Sequence, residues 1–294
     1  MKLSIVIASA NALPSAFAVF RGFEESIIKA AALEYDGIEL ALKNASEIDR
    51  DLLQSLLEKT GMQVSCISTG QVYADTGFMF TETDVYRRKE VKTIFMKLID
   101  LAADFGQFVN IGRIRGYAGN NGMTNYAENI FIETISELCA YAVSKNVTLV
   151  LEPVYRYEID FVNSVEEGVK LLEKVNHPNL KLMPDVFHMN IEDVKIGAEL
   201  YRHIRHIAYI HLADSNRMAP GWGHTDFDDI FHHLALANYD GWLSVEVLPK
   251  PEPESAAKQA IDFLKPFIRK NIDLRTQYNI IYGNHTTKSN PIAV

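Results

Sequence analysis

The sequence predicts a single (β/α)8 barrel of the TIM type, and three observations carry this prediction. Short apolar runs rich in β-branched residues recur along the chain, each is followed by a longer segment of helical period, and no linker or low-complexity stretch interrupts the series. Strand followed by helix, repeated eight times, is typical of a parallel sheet with right-handed crossovers. A chain of 294 residues is long enough for one such barrel.

The predicted strands follow one another at similar spacing. They are KLSIVIA (2–8), DGIELAL (36–42), MQVSCIS (62–68), FVNIGRI (108–114), VTLVLEP (147–153), LKLMPD (180–185), IAYIHLAD (207–214) and WLSVEVL (242–248). Between them, SVEEGVKLLEKV (164–175) has a helical pattern, with a capping box predicted between Ser164 and Glu167. An open doubly wound sheet is the alternative, because a sequence does not reveal edge strands. No glycine-rich phosphate-binding motif follows any strand, which weakens a nucleotide-binding interpretation.

Composition narrows the functional classes. The formal net charge is -9, which repels the phosphate backbone of nucleic acids, so we expect no nucleic-acid partner. The two cysteines, Cys66 and Cys139, form no CxxC pair and are expected to be buried apolar residues in a reducing compartment. No run is long and apolar enough for a membrane span, and the N-terminus lacks a signal-peptide pattern. These features favour a cytoplasmic protein without a membrane partner.

One domain accounts for most of the chain. We expect the barrel to cover residues 1–270 and residues 271–294, which lose clear periodicity, to form a C-terminal extension on the surface or at a subunit contact. The sequence thus favours a homo-oligomer, a dimer or a tetramer.

Polar side chains end the last four strands. Glu152, Asp185, His211 and Glu246 are each about one strand–helix unit apart. In a (β/α)8 barrel the carboxyl ends of the strands form the active-site face, so these side chains are expected to converge there. Three carboxylates and one imidazole suit Mn²⁺ or Mg²⁺ better than structural zinc, and they would repel one another without a cation. Any one of these acids alone is more often a helix cap or an ion-pair partner.

Further polar residues surround these four. Glu158 and His188 follow the strands that end in Glu152 and Asp185, and Arg217 lies in the loop HLADSNRMAPGWGHTDF (211–227). In the same loop, His224 and Asp226 either line the site or fix the loop. Core packing does not explain this much polar chemistry, so a functional site is expected here.

Together these residues, with the motifs DVFHMNIE and HLADSNRMAPGWGHTDF, resemble the metal-dependent ketose 3-epimerases. That family includes the D-tagatose, D-psicose and L-ribulose 3-epimerases and a 5-keto-gluconate epimerase branch, within the xylose isomerase-like TIM barrel superfamily. The resemblance covers nearly the whole chain. It implies a cytoplasmic isomerase of carbohydrate metabolism that inverts C3 of a ketose or keto-sugar acid through an enediolate.

The resemblance also implies roles for individual residues. Glu152, Asp185, His211 and Glu246 would hold one divalent ion, Mn²⁺ first, with Mg²⁺ or Co²⁺ as alternatives. Glu152 and Glu246 would also exchange the C3 proton as acid and base. The satellite residues would contact the sugar: His188 and Arg217 around O1 and O2, and Glu158 at the hydroxymethyl end.

Two departures from the family pattern concern the substrate. The fourth strand ends in GRIRGY (112–117), and Leu248 stands where an aromatic residue is usual in the family. These departures make a keto-sugar acid or a phosphosugar an alternative to a simple ketose as the substrate. Side chains alternate along a strand, so Arg113 and Arg115 are expected to point the same way, near the barrel mouth. A guanidinium there would bind a carboxylate or phosphate, and we assign this role to Arg115. A surface salt bridge is the competing interpretation of these arginines.

Other functions share this barrel. An aldose–ketose isomerase or a phosphosugar epimerase would use the same ligand type. A DNA-repair nuclease of the endonuclease IV type needs additional histidines for three zinc ions and a basic groove, neither of which is visible in this acidic chain. A non-catalytic sugar-binding barrel is the remaining alternative.

Overall fold

The eight predicted strands all form in the computed structural model, which describes residues 1–13, 16–119 and 124–282. They pair in parallel throughout, and a short extra strand, β2, lies beside β1. The strands are β1 (Lys2–Ala8), β2 (Phe20–Arg21), β3 (Gly37–Ala41), β4 (Gln63–Ser68), β5 (Phe108–Ile111), β6 (Thr148–Leu151), β7 (Leu180–Leu182), β8 (Tyr209–Leu212) and β9 (Trp242–Val245).

The sheet closes between β7 and β8. Along the rest of the sheet the strands run in the order β7-β6-β5-β4-β3-β1-β9-β8. Bridges join Leu182 to Ile207 and Asp185 to His211, and the Ala208 amide donates to the Leu182 carbonyl at 3.0 Å. The predicted barrel is therefore confirmed, and the open-sheet alternative is wrong, because the two outer strands meet.

Helices connect the strands around the outside. They are α1 (Phe23–Ala32), α2 (Arg50–Thr60), α3 (Gly70–Thr76), α4 (Val85–Phe105), α5 (Thr124–Ser144), α6 (Val165–Val175), α7 (Val186–Glu192), α8 (Ile196–His203), α9 (Phe227–Leu236) and α10 (Pro253–Tyr282). Ser164 caps α6 as predicted, accepting a hydrogen bond from the Glu167 amide. The Glu167 carboxylate accepts from the Asn163 amide, one residue before the predicted partner.

Strand β5 is shorter than predicted. It ends at Ile111, and Arg113–Arg115 form a 3-10 turn. Gly112 makes this departure compatible with the site, because a Cβ there would lie 2.8 Å from the Glu152 Oε2 atom. The chain must leave the strand at a glycine to pass so close to a carboxylate.

The final helix continues through the predicted boundary at residue 270. Helix α10 runs to Tyr282, while residues 283–294 of the predicted extension lie outside the described residues. The extension and its subunit contact stay predictions. Within the described ranges, the helices include none with the length and apolar character that a membrane crossing requires.

Candidate metal centre and sugar-binding pocket

Four strand ends converge on one point at the carboxyl face of the barrel. Glu152 follows β6, Asp185 follows β7 after a Met-Pro pair, His211 lies within β8, and Glu246 follows β9. One ligand atom from each residue lies within 4.8 Å of all the others. Parallel strands deliver these residues to one edge because their carboxyl ends share it. The structure thus brings together all four predicted metal ligands.

The imidazole of His211 lies at the centre of the cluster. Its Nδ1 atom is 3.2 Å from Glu152 Oε1 and 3.5 Å from Glu246 Oε2. Asp185 uses Oδ1 to accept from the Phe187 amide at 2.8 Å, which caps α7 and leaves Oδ2 in the cluster. Three carboxylates and a nitrogen at this spacing fit a hard divalent cation.

Electrostatics separates the two glutamates. Burial alone would raise the pKa of Glu152, but its hydrogen bond to His211 and the charges of His211 and His188 hold that pKa well below its ordinary value. Burial raises the pKa of Glu246 to about 8, although Arg217 and His211 oppose the shift. Repulsion from Glu152 and Asp185 adds a smaller contribution to the raised pKa of Glu246, and a divalent cation would offset this repulsion.

A cavity of about 550 Å³, partly open to solvent, lies against this cluster. Three of the four predicted substrate residues, Glu158, His188 and Arg217, line it. His188 is buried, with its Nε2 atom 3.8 Å from Asp185 Oδ2, and its ring stacks on Tyr155 with 4.8 Å between centroids. The convergent polar groups suit a small polar ligand.

Arg217 is held rigidly in the wall of the cavity. Its guanidinium pairs with both Asp185 and Glu246, and it lies between the rings of Phe17 and Phe187, 4.5 and 4.8 Å from their centroids. Its backbone adopts a φ of 63°, which an L residue rarely takes. Such a backbone conformation indicates that the surrounding loop imposes the position of Arg217.

Asp214 organises the loop that carries Arg217. Its carboxylate accepts hydrogen bonds from the amides of Ser215, Gly221 and Thr225 at 2.8 to 3.0 Å. His224 and Asp226 are exposed and serve the same loop: the His224 ring contacts Ser215, and Asp226 caps α9. Of the two expectations for these residues, their contacts match fixing the loop.

Arg115 requires a correction. It is fully buried, and its guanidinium donates to the carbonyls of Gly112, Glu152, Phe161 and Val162 at 2.6 to 3.0 Å. The structure therefore does not bring Arg115 to the substrate cavity. Strand alternation, on which the expectation rested, stops at Ile111, and the 3-10 turn sends Arg113 and Arg115 in different directions.

Sequence reasoning placed Arg113 near the barrel mouth without assigning it a role, and it did not identify Asn110 or Glu39. Arg113, rather than Arg115, lines the cavity, with its Nη1 atom 3.5 Å from Glu158 Oε2. Asn110 donates to Glu152 Oε2 at 3.0 Å. Glu39, buried within β3, lies against His211. A lone acid inside the apolar run GIELA was the one available signal for Glu39, since a buried charge needs a partner.

A (β/α)8 barrel with a group of potential metal ligands at its strand ends defines a broad class of proteins. Comparison with known proteins identifies the family within that class. Residues 27–267 match the family model described as xylose isomerase-like TIM barrel, so the chain belongs to that family. This confirms the resemblance drawn from the sequence motifs. It also places a large part of the chain, including all four cluster residues, inside the matched segment.

The relatives within this family are named sugar epimerases. The chain is 28% identical to an L-ribulose 3-epimerase from Methylomonas sp. over 76% of its own length and 78% of the relative's. It is 28% identical to a probable ketose 3-epimerase from Synechocystis sp. over 77% and 79%. The crystal structure of a D-allulose 3-epimerase from Methylomonas sp., at 24% identity, superposes with a TM-score of 0.75 over 90% of this chain and 98% of that one, a likeness of fold.

Proposed function

We propose that this protein is a divalent-metal-dependent epimerase that inverts C3 of a ketose or a keto-sugar acid. The observation that carries the proposal is the convergence of Glu152, Asp185, His211 and Glu246 at the carboxyl face of the barrel, where Glu152 and Glu246 also line the adjacent cavity. The 3-epimerase names of the relatives support it. The endonuclease alternative is not favoured, because the described residues hold one group of clustered metal-ligand side chains, and it consists of three carboxylates and one histidine.

The donor set supports Mn²⁺ as the resident ion, with Mg²⁺ or Co²⁺ as alternatives. All four cluster residues would hold it, and the metal, when bound, would act as a Lewis acid that stabilises negative charge on the substrate oxygens. The protein's own part is to keep the ligands buried and pre-oriented. Asp185 does so through its cap on α7, and Glu152 through its hydrogen bond from Asn110.

The proton transfer falls to Glu152 and Glu246. Inversion at C3 requires one group to remove the proton from one face of the carbon and another to return a proton to the opposite face. The two carboxylates follow β6 and β9, and both line the cavity. One would act as the base and the other as the acid, and the roles reverse with the direction of reaction.

The remaining cavity residues would orient the sugar. His188 Nδ1 is buried without a hydrogen-bond partner, as is Arg217 Nε. With Glu158, these residues offer donors and an acceptor to the hydroxyl and carbonyl oxygens at the O1–O2 end. Buried polar groups that lack partners are costly, so a ligand that satisfies them gains specificity.

Arg113 supports a keto-sugar acid among the candidate substrates. It lines the cavity, it approaches the carboxylate of Glu158 at 3.5 Å, and its guanidinium lies 5.8 Å from the Tyr73 ring centroid. A guanidinium so loosely held is available to bind a carboxylate bidentately, a role that a neutral hydroxyl does not require. We therefore transfer to Arg113 the anion-binding role expected of Arg115.

Isotope exchange tests the proposed reaction. The protein is loaded with Mn²⁺ or stripped of metal with a chelator. It is then incubated in deuterated water with ketoses, keto-sugar acids and ketose phosphates. We expect metal-dependent epimerisation with deuterium entering at C3. Exchange at C1 or C2 would instead identify an aldose–ketose isomerase, and no turnover with any sugar would leave a binding barrel. Homo-oligomerisation, tested by sedimentation, and cytoplasmic location stay predictions.

A further inference from the structure

A buried carboxylate lies beneath the predicted metal ligands. Glu39 is fully buried on β3 and points into the barrel. Its Oε1 and Oε2 atoms are 3.1 and 3.0 Å from Nε2 of His211. Its Oε2 also accepts a hydrogen bond from the Tyr209 hydroxyl at 3.0 Å. An acid in the interior is costly unless it is paired and hydrogen-bonded, and Glu39 is both.

The contacts of Glu39 extend across the barrel interior. The Tyr209 hydroxyl lies 2.7 Å from Ser65 Oγ and 3.0 Å from Ser4 Oγ, and Ser65 donates to the Ile38 carbonyl at 3.0 Å. Each member of this hydrogen-bond network lies on a strand of the barrel, so the barrel wall fixes its position. The members are Ser4 on β1, Glu39 on β3, Ser65 on β4 and Tyr209 on β8. A fully connected buried network holds its groups in one arrangement.

We propose that Glu39 is the positioning residue of the metal centre, accepting a hydrogen bond from Nε2 of His211 so that Nδ1 is the nitrogen offered to the metal. This inference rests on the metal-dependent function proposed above. Nδ1 is the atom that faces Glu152 and Glu246, whereas Nε2 faces away from them. Because a neutral imidazole carries one N–H, a carboxylate at Nε2 selects the tautomer with a free lone pair at Nδ1.

The arrangement has a second effect on the ligand. A carboxylate bonded to the far nitrogen raises the basicity of the imidazole and prevents the ring from rotating. His211 is fully buried, so water cannot take the place of Glu39 at Nε2. Removal of the Glu39 charge should weaken metal binding even though Glu39 does not itself contact the ion.

Metal affinity tests this role. The variant Glu39→Gln keeps the shape of the side chain and removes its charge. Mn²⁺ is titrated into the metal-free full-length protein, and the electron paramagnetic resonance signal of free Mn²⁺ is followed. We expect the dissociation constant to rise by about 10–100-fold. The matched control Ser65→Ala alters the far end of the same network and should change it by less than about twofold.

Three outcomes overturn the inference. In the first, Glu39→Gln lowers the stability of the metal-free protein but leaves Mn²⁺ affinity unchanged, which makes Glu39 a packing residue. In the second, the ¹H–¹⁵N spectrum of the Mg²⁺-loaded wild type places the His211 proton on Nδ1. In the third, the affinity falls equally in Ser65→Ala. If wild type binds no Mn²⁺ at all, the proposed function itself fails, and the two failures are thereby distinguished.

A second variant covers the case in which Glu39→Gln does not fold. Tyr209→Phe leaves both Glu39 and His211 in place and removes the hydroxyl that orients the carboxylate. We expect a weaker loss of Mn²⁺ affinity in the same direction. Unchanged affinity in this variant, together with an unchanged His211 spectrum, argues against the role of Glu39.

Discussion

The late strands of the barrel, β6 to β9, and the early strands, β1 to β5, present different chemistry at the carboxyl face. Each late strand positions one member of the cluster Glu152, Asp185, His211 and Glu246, and the two glutamates also line the cavity. The early strands give the cavity small or neutral side chains, and the turn after β5 adds the charged Arg113; the small or neutral side chains are Val6, Ala41, Ser68 and Asn110.

The difference assigns distinct proposed roles to the early and late sides of the barrel. Small residues on the early side leave space for a substrate, while carboxylates on the late side carry the proposed roles of holding the cation and moving the proton. The early strands do contribute a carboxylate, Glu39, but at a deeper level where it touches His211 rather than the cavity. Substitutions on the two sides should therefore affect different measured quantities.

Loss of the late-side base should have the largest effect. Glu246→Gln keeps an oxygen donor and a similar shape but cannot exchange a proton, so turnover should fall by about 10²–10⁴-fold while part of the metal affinity survives. Steady-state kinetics and metal analysis on the same sample check this. Near-normal turnover would remove Glu246 from the mechanism.

Loss of the central ligand should reduce binding and activity together. In His211→Ala the missing nitrogen has no substitute in the buried cluster, so Mn²⁺ affinity should fall by more than the roughly 100-fold expected for an outer residue. The comparison with Glu39→Gln sharpens the contrast between ligand and support. We also expect one ion per chain, and three zinc ions per chain in the wild type would contradict the single cluster.

An early-side change should affect substrate choice. In Arg113→Gln we expect the KM of a ketose carboxylate to rise by about 10-fold or more, because a charge-assisted hydrogen bond is lost, while that of the matching neutral ketose changes little. The control Arg87→Gln removes a similar arginine, 3.6 Å from Glu82 and 4.8 Å from the Phe78 ring, away from the cavity. Equal KM changes for the two substrates would mean that Arg113 only holds Glu158.

Arg115 should affect stability rather than substrate. Arg115→Met removes the guanidinium donor from four carbonyls, of which Gly112 and Val162 keep backbone donors, so the free energy of unfolding should fall by about 3 kcal/mol. Urea denaturation measures this, with Arg87→Met as the control. A selective rise in the KM of an anionic substrate without loss of stability would restore the binding role that the sequence suggested.

The smallest expected effect concerns a late-side acid outside the cluster. Burial raises the pKa of Asp193 to about 7, so the folded state binds this proton more tightly than the unfolded state. The contribution to stability is fully present below the unfolded pKa and is lost as the pH rises through about 7.

Asp193→Asn should therefore become more stable than wild type as the pH rises from 4 to 8, by roughly 1–3 kcal/mol at the upper end, with kcat unchanged. Unfolding curves across this pH range check the sign. A constant difference between the two proteins would show that Asp193 does not titrate between these limits.

Local pattern was enough to predict the barrel. Short runs rich in β-branched residues predicted the strands, and longer periodic segments predicted the helices. These patterns arise because burial within the sheet and burial of one helix face each favour apolar residues at regular spacing. The cluster residues were predictable for a related reason. A polar residue at the carboxyl end of a buried strand in a parallel barrel lies at the barrel mouth, where the ends of the other strands also lie.

Only the tertiary structure decided how the arginines and Glu39 are used. The position of the Arg115 side chain depends on Gly112, where β5 ends and the chain turns because the backbone passes close to Glu152. This close approach leaves no periodic pattern in the local sequence. The pairing of Glu39 with His211 joins residues from β3 and β8, distant in sequence and adjacent only after the barrel closes. Strand periods and strand ends are local properties of a sequence, whereas the partner of a buried charge is set by packing between distant segments.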